Sequence, residues 1–196
     1  EVPGQRVSVN MLTRDRLCEA IGIEPEIYID TIAWAMKNPA TPEIVSPQDA
    51  PVFDNMQDDV DLTVLPIPYH WPQDRGRYMS ASVIIAEVNG QRNMSFHRQY
   101  LRDKSHLVVR LVPRHLRTMV DQAREQGHEV NIAIVNAPDP VVLLAGAMSF
   151  DEPIDELTIA AALHEKLYSK SLQLVELPNG IQVPADAEYA MWGRIT

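Results

Sequence analysis

The sequence has a single cysteine and lacks any long apolar run. Cys18 has no second thiol with which to form an internal disulfide, so it fits a reducing compartment and is expected to be a small buried residue rather than a nucleophile. No apolar run approaches the roughly 20 residues that cross a bilayer, and no basic segment followed by an apolar core opens the chain. We therefore expect a cytoplasmic protein with no stable membrane span.

Glycine-rich phosphate-binding motifs are also missing. Neither G-x-G-x-x-G nor G-x-x-x-x-G-K-[ST] occurs, so nucleotide binding through a glycine-rich loop is unsupported. An excess of positive charge is missing too, because the formal net charge is -10 and the isoelectric point is about 5.0. Binding along a nucleic-acid backbone normally requires a basic surface, so no nucleic-acid partner is expected. An anionic ligand would have to be held locally.

The chain has 196 residues, which is enough for one good core or for a main domain with a small satellite. With 45% hydrophobic and 22% charged residues, the composition is that of an ordinary globular protein and excludes general disorder. The first residue is Glu1 rather than methionine, and Thr196 falls in a stretch that still reads as ordered. We expect a processed or partial chain.

Helix signals dominate the N-terminal part of the sequence. After a short predicted strand at Val7 to Leu12, Thr13 is a suitable N-cap and Gly22 a suitable terminator for a short helix. A second helix is predicted from about Pro25 to Lys37, with one apolar face. Residues 39–75 are rich in proline, which predicts an extended, wrapping connection. The apolar face of the second helix is expected to comprise Ile29, Ile32, Ala33 and Met36.

Alternating apolar residues dominate from Arg77 onward. The segments "YMSASVIIAEV" and "QRNMSFHR" flank Asn89-Gly90, a dipeptide typical of a tight hairpin turn. Two further strands, "SHLVVRLV" and "EVNIAIVN", enclose a helix predicted from Pro113 to about Gln126, which Gly127 ends. The remaining predicted elements are helices at "DPVVLLAGAM" and "PIDELTIAAALHE" and short strands at Leu172 to Leu177 and Ile181 to Val183. This order predicts an α+β domain at 76–196 on an antiparallel sheet or barrel, after a small α/β unit and connection at 1–75.

Basic and histidine side chains gather between Asn93 and His115, in "NMSFHRQYLRDKSHLVVRLVPRH". This run is either a solvated basic face or a site for something anionic. Strand alternation places Asn93, Ser95 and His97 on one face and Met94, Phe96 and Arg98 on the other. Alternation alone favours a solvated edge strand, so a site for an anion needs support from residues elsewhere.

Three side chains far apart in the chain form a possible metal-binding set. His115 stands just inside a helix start, where neutral imidazole is favoured, and Glu156 begins another helix. With Asn93 they offer an amide oxygen, an imidazole nitrogen and a carboxylate oxygen. That set suits Mn²⁺ or Mg²⁺ better than structural zinc. The ion would hold a phosphate on an acidic protein and leave Arg98 for a second anion.

Five segments, in this order, resemble motifs of the UbiD-type decarboxylase family. That family includes 3-polyprenyl-4-hydroxybenzoate and ferulic acid decarboxylases and uses prenylated FMN. The likeness extends from about Arg6 to Trp192. The segments are "DLTVLPIPYHWPQDRGRYMSAS", "NMSFHR", "PRH", "DPVVLLAGAMSFDEPIDE" and "VPADAE".

The resemblance implies that the domain at 76–196 is an FMN-binding split β-barrel with inserted helices. It further implies that Asn93, His115 and Glu156 bind Mn²⁺ on the flavin phosphate, and that Arg98 is catalytic. A K⁺ ion would lie near the carbonyls of Met94, Ala145, Gly146 and Met148. The full expected cofactor-binding set is Asn93, Met94, Ser95, Phe96, His97, Arg98, Arg114, His115, Ala145, Gly146, Met148 and Glu156.

The implied activity is reversible, non-oxidative decarboxylation of an α,β-unsaturated or aromatic carboxylic acid, in a homo-oligomer supplied with cofactor by a flavin prenyltransferase. An archaeal branch of the family acts instead on phosphorylated anhydromevalonate, and "FHR", which puts His97 beside the arginine, favours a more polar substrate. A non-catalytic flavin-binding module and an FMN-dependent oxidoreductase are further alternatives. The family's two catalytic glutamates lie in a P-E-G-P-x-G-[ED] segment, which this sequence lacks together with the C-terminal family domain. These 196 residues alone are therefore expected to be inactive or nearly so.

Overall fold

The computed structural model describes residues 12–196, which form five α-helices, four short 3-10 helices and ten β-strands. The predicted strand at Val7 to Leu12 lies almost entirely outside the described residues. The helices are α1 (Arg14–Ile21), α2 (Tyr28–Lys37), α3 (His115–Glu125), α4 (Pro140–Gly146) and α5 (Glu156–Tyr168). The strands are β1 (Glu43–Ile44), β2 (Tyr78–Met79), β3 (Ser82–Val88), β4 (Gln91–Phe96), β5 (Gln99–Leu101), β6 (Leu107–Val109), β7 (Val130–Asn136), β8 (Gln173–Glu176), β9 (Gln182–Pro184) and β10 (Tyr189–Ile195).

An antiparallel four-stranded sheet in the order β10-β7-β3-β4 forms the centre of the fold. Two three-stranded sheets, β2-β5-β6 and β1-β8-β9, complete it, and among the strands described here only β1 and β8 pair in parallel. The mixed α/β architecture and the predicted antiparallel sheet are thereby confirmed. Within residues 12–196 none of these sheets closes on itself, so the split barrel stays a prediction.

Both faces of the central sheet are covered. On one face, Val83, Ile85 and Met94 pack with the buried residues of α4 and α5, and Leu17 of α1 and Ala50 belong to the same cluster. The opposite face carries a second cluster that includes Ile84 and the buried side of α3. Two-sided burial explains why β3 and β7 read as nearly continuous apolar runs. The division predicted at residue 75 stays a prediction, although one cluster joins residues from both sides of it.

The first helix follows the sequence prediction. Gly22 ends α1 in a left-handed conformation (φ 72°), and the amide of Ile23 donates to the carbonyl of Cys18 at 3.0 Å. This arrangement satisfies carbonyls that the helix end leaves without partners. Cys18 is buried, as expected of a small apolar side chain. No helix in residues 12–196 is long and apolar enough to span a membrane.

The predicted apolar face of α2 is wrong in part, since Ile32 packs against the core as expected but two other members do not. Ile29 and Met36 are 62% and 45% exposed, whereas Thr31 and Ala35 are buried. Pro25–Ile27 forms a 3-10 turn, and α2, which begins only at Tyr28, packs against α5. The small side chains of Thr31 and Ala35 allow the two helices to approach closely, so residue size as well as hydropathy selects the buried face.

Two other departures have local causes. The helix predicted from Pro113 begins at His115, because Arg114 is extended and its amide donates to the carbonyl of Val112 at 2.7 Å. Strand β10 has no counterpart in the prediction. It forms an edge of the central sheet, and several of its residues are exposed. Gly193 and Arg194 therefore interrupt the alternation of apolar and polar residues from which a strand is predicted. The proline-rich segment, predicted as an extended connection, contains strand β1, which pairs with β8.

The turn between β3 and β4 gives a test of the hairpin. Asn89 and Gly90 both have positive φ values, 54° and 75°, as a two-residue hairpin turn requires. Replacing Gly90 by alanine should lower the free energy of unfolding by about 1–2 kcal/mol, because alanine is strained at this φ. Denaturant unfolding measures the loss. The control is Gly193→Ala, at a glycine that lacks a positive φ and has open space where a Cβ would lie, which should change stability by less than about 0.5 kcal/mol. Equal effects would contradict the assigned turn.

Candidate metal and cofactor site

A carboxylate at the start of α5 binds the edge strand β4. The side-chain Nδ2 of Asn93 donates to Glu156 Oε1 at 2.9 Å, and the backbone N–H of Met94 donates to Glu156 Oε2 at 2.8 Å. Both oxygens of Glu156 are therefore engaged by adjacent residues of β4. Two of the three predicted metal ligands, 63 residues apart in the chain, are in direct contact.

This contact is almost fully shielded from water. Glu156 is 3% exposed and Asn93 4% exposed. Burial raises the pKa of Glu156 to about 7, against the hydrogen bonds from Met94 and Asn93, which lower it. An ionised carboxylate is costly in such a place unless positive charge lies nearby. A divalent cation would supply that charge.

A row of polar side chains continues from Asn93 along the same face of β4. Ser95 Oγ donates to Asn93 Oδ1 at 3.1 Å and lies 3.0 Å from His97 Nε2. The alternation predicted for Asn93, Ser95 and His97 is thus confirmed. Burial lowers the pKa of His97, which favours neutral imidazole. On the other face, Met94 is fully buried in the core.

His115, the third predicted metal ligand, is the first residue of α3. That helix packs against β3 and β4, and His115 Nε2 lies 3.4 Å from the backbone carbonyl of Asp151, in the loop that leads to α5. The histidine therefore belongs to a helix that packs on β4, and it contacts the loop that leads to α5, whereas no hydrogen bond or ion pair joins it to Asn93 or Glu156 within residues 12–196. In the part of the chain from residue 12 onward, no group of three or more His, Cys, Asp or Glu side chains could hold a metal ion. A metal site here depends on the amide of Asn93.

The end of α4 lies against the same strand. A Cβ atom added to Gly146 would stand 3.1 Å from Val83 Cγ1 and 3.6 Å from Met94 Cε. Only glycine permits this approach of helix backbone to sheet without a shift of these neighbours. Ala145 accepts a hydrogen bond from the amide of Met148 at 3.1 Å, so three of the four predicted K⁺ ligands lie at one helix end and the fourth, Met94, lies in β4.

The two arginines of the predicted cofactor set differ in their surroundings. Arg98 follows β4 and is exposed, and within residues 12–196 its guanidinium has no hydrogen-bond or ion-pair partner. Arg114 precedes α3, and its Nη1 donates to Ser149 Oγ at 2.9 Å. Phe96 is half-buried against the core that lies under α4 and α5. Arg98 is thus available for an anion, whereas Arg114 ties α3 to the loop after α4.

Sequence reasoning missed two polar arrangements near this site. Arg92 forms an ion pair with Asp155, the N-cap of α5, at 2.7 Å. Gln99 is buried with its Nε2 lacking a partner among the described residues, and its Oε1 accepts from Ser82 Oγ at 2.7 Å. Gln99 lines a cleft of about 900 Å³ on the sheet face that carries Ile84. The aspartate before α5 is a recognisable N-cap signal in the sequence. No pattern in the neighbouring sequence indicates that Arg92 pairs with it or that Gln99 is buried.

The contact between Asn93 and Glu156 can be tested without metal. Asn93→Ala should lower the free energy of unfolding of the metal-free protein by about 1–3 kcal/mol, because a buried carboxylate oxygen loses its donor. Denaturant unfolding measures the change. Gln91→Ala removes an exposed amide from the same strand and should cost less than about 0.5 kcal/mol. A loss no larger at Asn93 than at Gln91 would contradict the buried hydrogen bond.

Comparisons with known proteins point to one family. A family model described as the UbiD 3-octaprenyl-4-hydroxybenzoate carboxy-lyase Rift-related domain matches residues 43–196. Anhydromevalonate phosphate decarboxylase of Methanothermobacter thermautotrophicus is 34% identical over 186 residues, covering 93% of this chain and 42% of that protein. Gallate decarboxylase of Lactiplantibacillus plantarum is 26% identical over 179 residues, covering 82% of this chain and 35% of that protein.

A solved structure has the same fold. An evolved dimeric form of the UbiD-class enzyme HmfF from Pelotomaculum thermopropionicum, in complex with prFMN, superposes with a TM-score of 0.86 at 33% identity. The superposition covers 93% of this chain and 43% of that one. The chain therefore spans less than half the length of these relatives. The family match over most of the chain, together with this structural likeness, establishes that the chain belongs to the UbiD family.

Proposed function

We propose that the protein is a decarboxylase that removes CO₂ reversibly and without net oxidation from an α,β-unsaturated or aromatic carboxylic acid, using prenylated FMN. The observation that carries this proposal is the buried contact of Glu156 with Asn93 and Met94. These residues stand in the segments that resemble the family motifs, at positions for which that resemblance implies metal and flavin ligands. The relatives support it, since two are decarboxylases by name and a third is a UbiD-class enzyme in complex with prFMN. When bound, a prenylated flavin supplies the electron sink that loss of CO₂ requires.

The donor set fits a divalent cation. Asn93 and Glu156 provide hard oxygen donors in a buried place, and His115 adds an imidazole nitrogen. Mn²⁺ and Mg²⁺ accept such mixed sets, and we propose that the bound ion holds the flavin phosphate. A K⁺ ion would bind the carbonyls at the end of α4. This arrangement would anchor an anionic cofactor on a chain whose net charge is -10.

Arg98 is the residue that we assign to the substrate. Its exposed guanidinium can hold a carboxylate through two parallel N–H donors, a geometry that lysine does not reproduce. Orientation of the acid by Arg98 would leave the bond to the departing carboxylate in a fixed position. The family's acid/base carboxylates lie in a segment that is missing from this sequence, so we propose that residues 1–196 alone turn over poorly.

A second substrate class has a specific observation in its favour. Five relatives that share 29–38% identity with the chain are anhydromevalonate phosphate decarboxylases from archaea. His97 adds a polar side chain directly beside Arg98 in the sequence, which suits a phosphorylated acid. Phosphorylated anhydromevalonate is therefore the alternative substrate. With either substrate, we propose that a flavin prenyltransferase supplies the cofactor and that the protein assembles as a homo-oligomer.

Native mass spectrometry and a CO₂ assay test the proposal together. The protein expressed from its complete gene with a flavin prenyltransferase should carry the mass of prenylated FMN and should release CO₂ without a reductant. Cofactor without CO₂ release from any tested acid would favour a non-catalytic flavin-binding module. Absorbance change that depends on a nicotinamide would indicate an FMN-dependent oxidoreductase instead.

Replacement of Arg98 separates chemistry from cofactor binding. Arg98→Ala should abolish turnover and leave the bound flavin largely unchanged, because the guanidinium contacts the substrate carboxylate rather than the flavin phosphate. Arg102→Ala is the matched control, since Arg102 is also an exposed arginine close to Arg98 in the sequence. Its Nε lies 4.0 Å from Asp103 Oδ2, so its loss breaks no close ion pair. Turnover by Arg98→Ala equal to that of Arg102→Ala would remove Arg98 from the mechanism.

His115 gives a test of the metal site. His115→Ala should weaken Mn²⁺ binding by more than about tenfold. Loss of a residue that only supports a metal ligand already costs about tenfold in affinity, so loss of a direct ligand should cost at least as much. Calorimetric titration of the flavin-free protein measures the affinity. His106, an exposed histidine paired with Asp103, supplies the control variant His106→Ala, which should bind Mn²⁺ as the parent does. Unchanged affinity in His115→Ala would exclude that residue as a ligand.

A further inference from the structure

Arg92 contacts two elements that meet beside the candidate metal site. From β4 its Nε and Nη2 donate to Asp155 Oδ2 at 3.0 Å and 2.7 Å, and its Nη1 donates to Gln182 Oε1 in β9 at 2.7 Å. The side chains of Arg92 and Asp155 are only 14% and 24% exposed. All three guanidinium nitrogens are therefore used, in a setting where solvent screens the ion pair weakly.

Asp155 transmits this contact to the helix. Its other oxygen, Oδ1, accepts from the backbone N–H of Leu157 at 3.0 Å and so caps α5. The next residue, Glu156, binds the two residues that follow Arg92 in β4. Successive residues of the strand are thus bonded to successive residues at the start of the helix.

We infer that Arg92 is a positioning residue: by holding Asp155 it fixes the start of α5 against β4 and so places the carboxylate of Glu156 beside Asn93. This inference rests on the proposed metal site for its functional meaning. The guanidinium of Arg92 bonds to Asp155 and Gln182 rather than to Glu156 itself, so it acts through Asp155. Arginine fits this role because one planar group reaches Asp155 and Gln182 simultaneously, whereas an ammonium group would keep the charge beside Asp155 without the same fork of donors.

The first test uses hydrogen exchange in the metal-free full chain. In Arg92→Met, the backbone N–H of Met94, which donates to Glu156, should exchange about tenfold faster than in the parent, because its acceptor is no longer held in place. The N–H of Ile134, in the centre of the sheet, should keep its rate. Equal acceleration at Ile134 and Met94 would show a purely global effect on stability and would overturn the inference.

The second test measures Mn²⁺ affinity far below the unfolding temperature. Arg92→Met should bind Mn²⁺ about tenfold to a hundredfold more weakly, the usual cost of losing an outer-shell partner, and Arg92→Lys should recover part of the affinity. Asp155→Asn keeps an oxygen to cap α5 but loses the ion pair, so it should resemble Arg92→Met and serves if that variant fails to fold. Parent-like affinity in both would overturn the inference.

Arg194→Met is the matched control. It removes another strand arginine that pairs with a carboxylate, Glu129, at 3.0 Å, but far from β4 in strand order. It should change neither the exchange of Met94 nor the affinity for Mn²⁺, and parallel losses in this variant would count against the inference. If the parent protein binds no Mn²⁺ while Arg92→Met still loosens Met94 selectively, the positioning role holds and the proposed metal site fails.

Discussion

The fold depends on how the edge strand β4 finds hydrogen-bond partners for its outward backbone groups without a further strand beside it. β4 ends the central sheet, so its outward backbone groups need partners. The carboxylate of Glu156 supplies one, for the N–H of Met94, and Arg92 adds an ion pair to Asp155 on the same helix. Helix α5 is thereby joined to the sheet by polar contacts as well as by the apolar cluster beneath it. We propose this polar junction as the place where a ligand binds.

A buried carboxylate also explains why the junction suits an ion. Desolvation raises the pKa of Glu156 to about 7, so the metal-free junction holds its negative charge at a cost. A cation bound to Glu156, Asn93 and His115 would remove most of that cost and present positive charge to an anion. The acidic composition of the chain then poses no obstacle, since the attraction is local. Arg98, exposed and unpaired within residues 12–196, stays available for a second anion.

Local signals made the hairpin at Asn89-Gly90, the end of α1 at Gly22 and the face of Asn93 predictable, because each depends on neighbours in sequence. The buried face of α2 was mispredicted at Ile29 and Met36, since close packing on α5 places the small side chains of Thr31 and Ala35 there instead. Strand β10 was missed because pairing with β7 overrides its mixed composition. The ion pair of Arg92 with Asp155 spans 63 residues, a distance at which spacing carries no information. Family motifs nominated Asn93 and Glu156 together, which periodicity alone could not do.

Anomalous diffraction from crystals of the protein grown with Mn²⁺ tests the central claim most directly. The account predicts one strong manganese peak beside the carboxylate of Glu156, bonded also to Asn93 and to the imidazole of His115. A map with no peak at this junction, or with manganese bound only elsewhere, would contradict it.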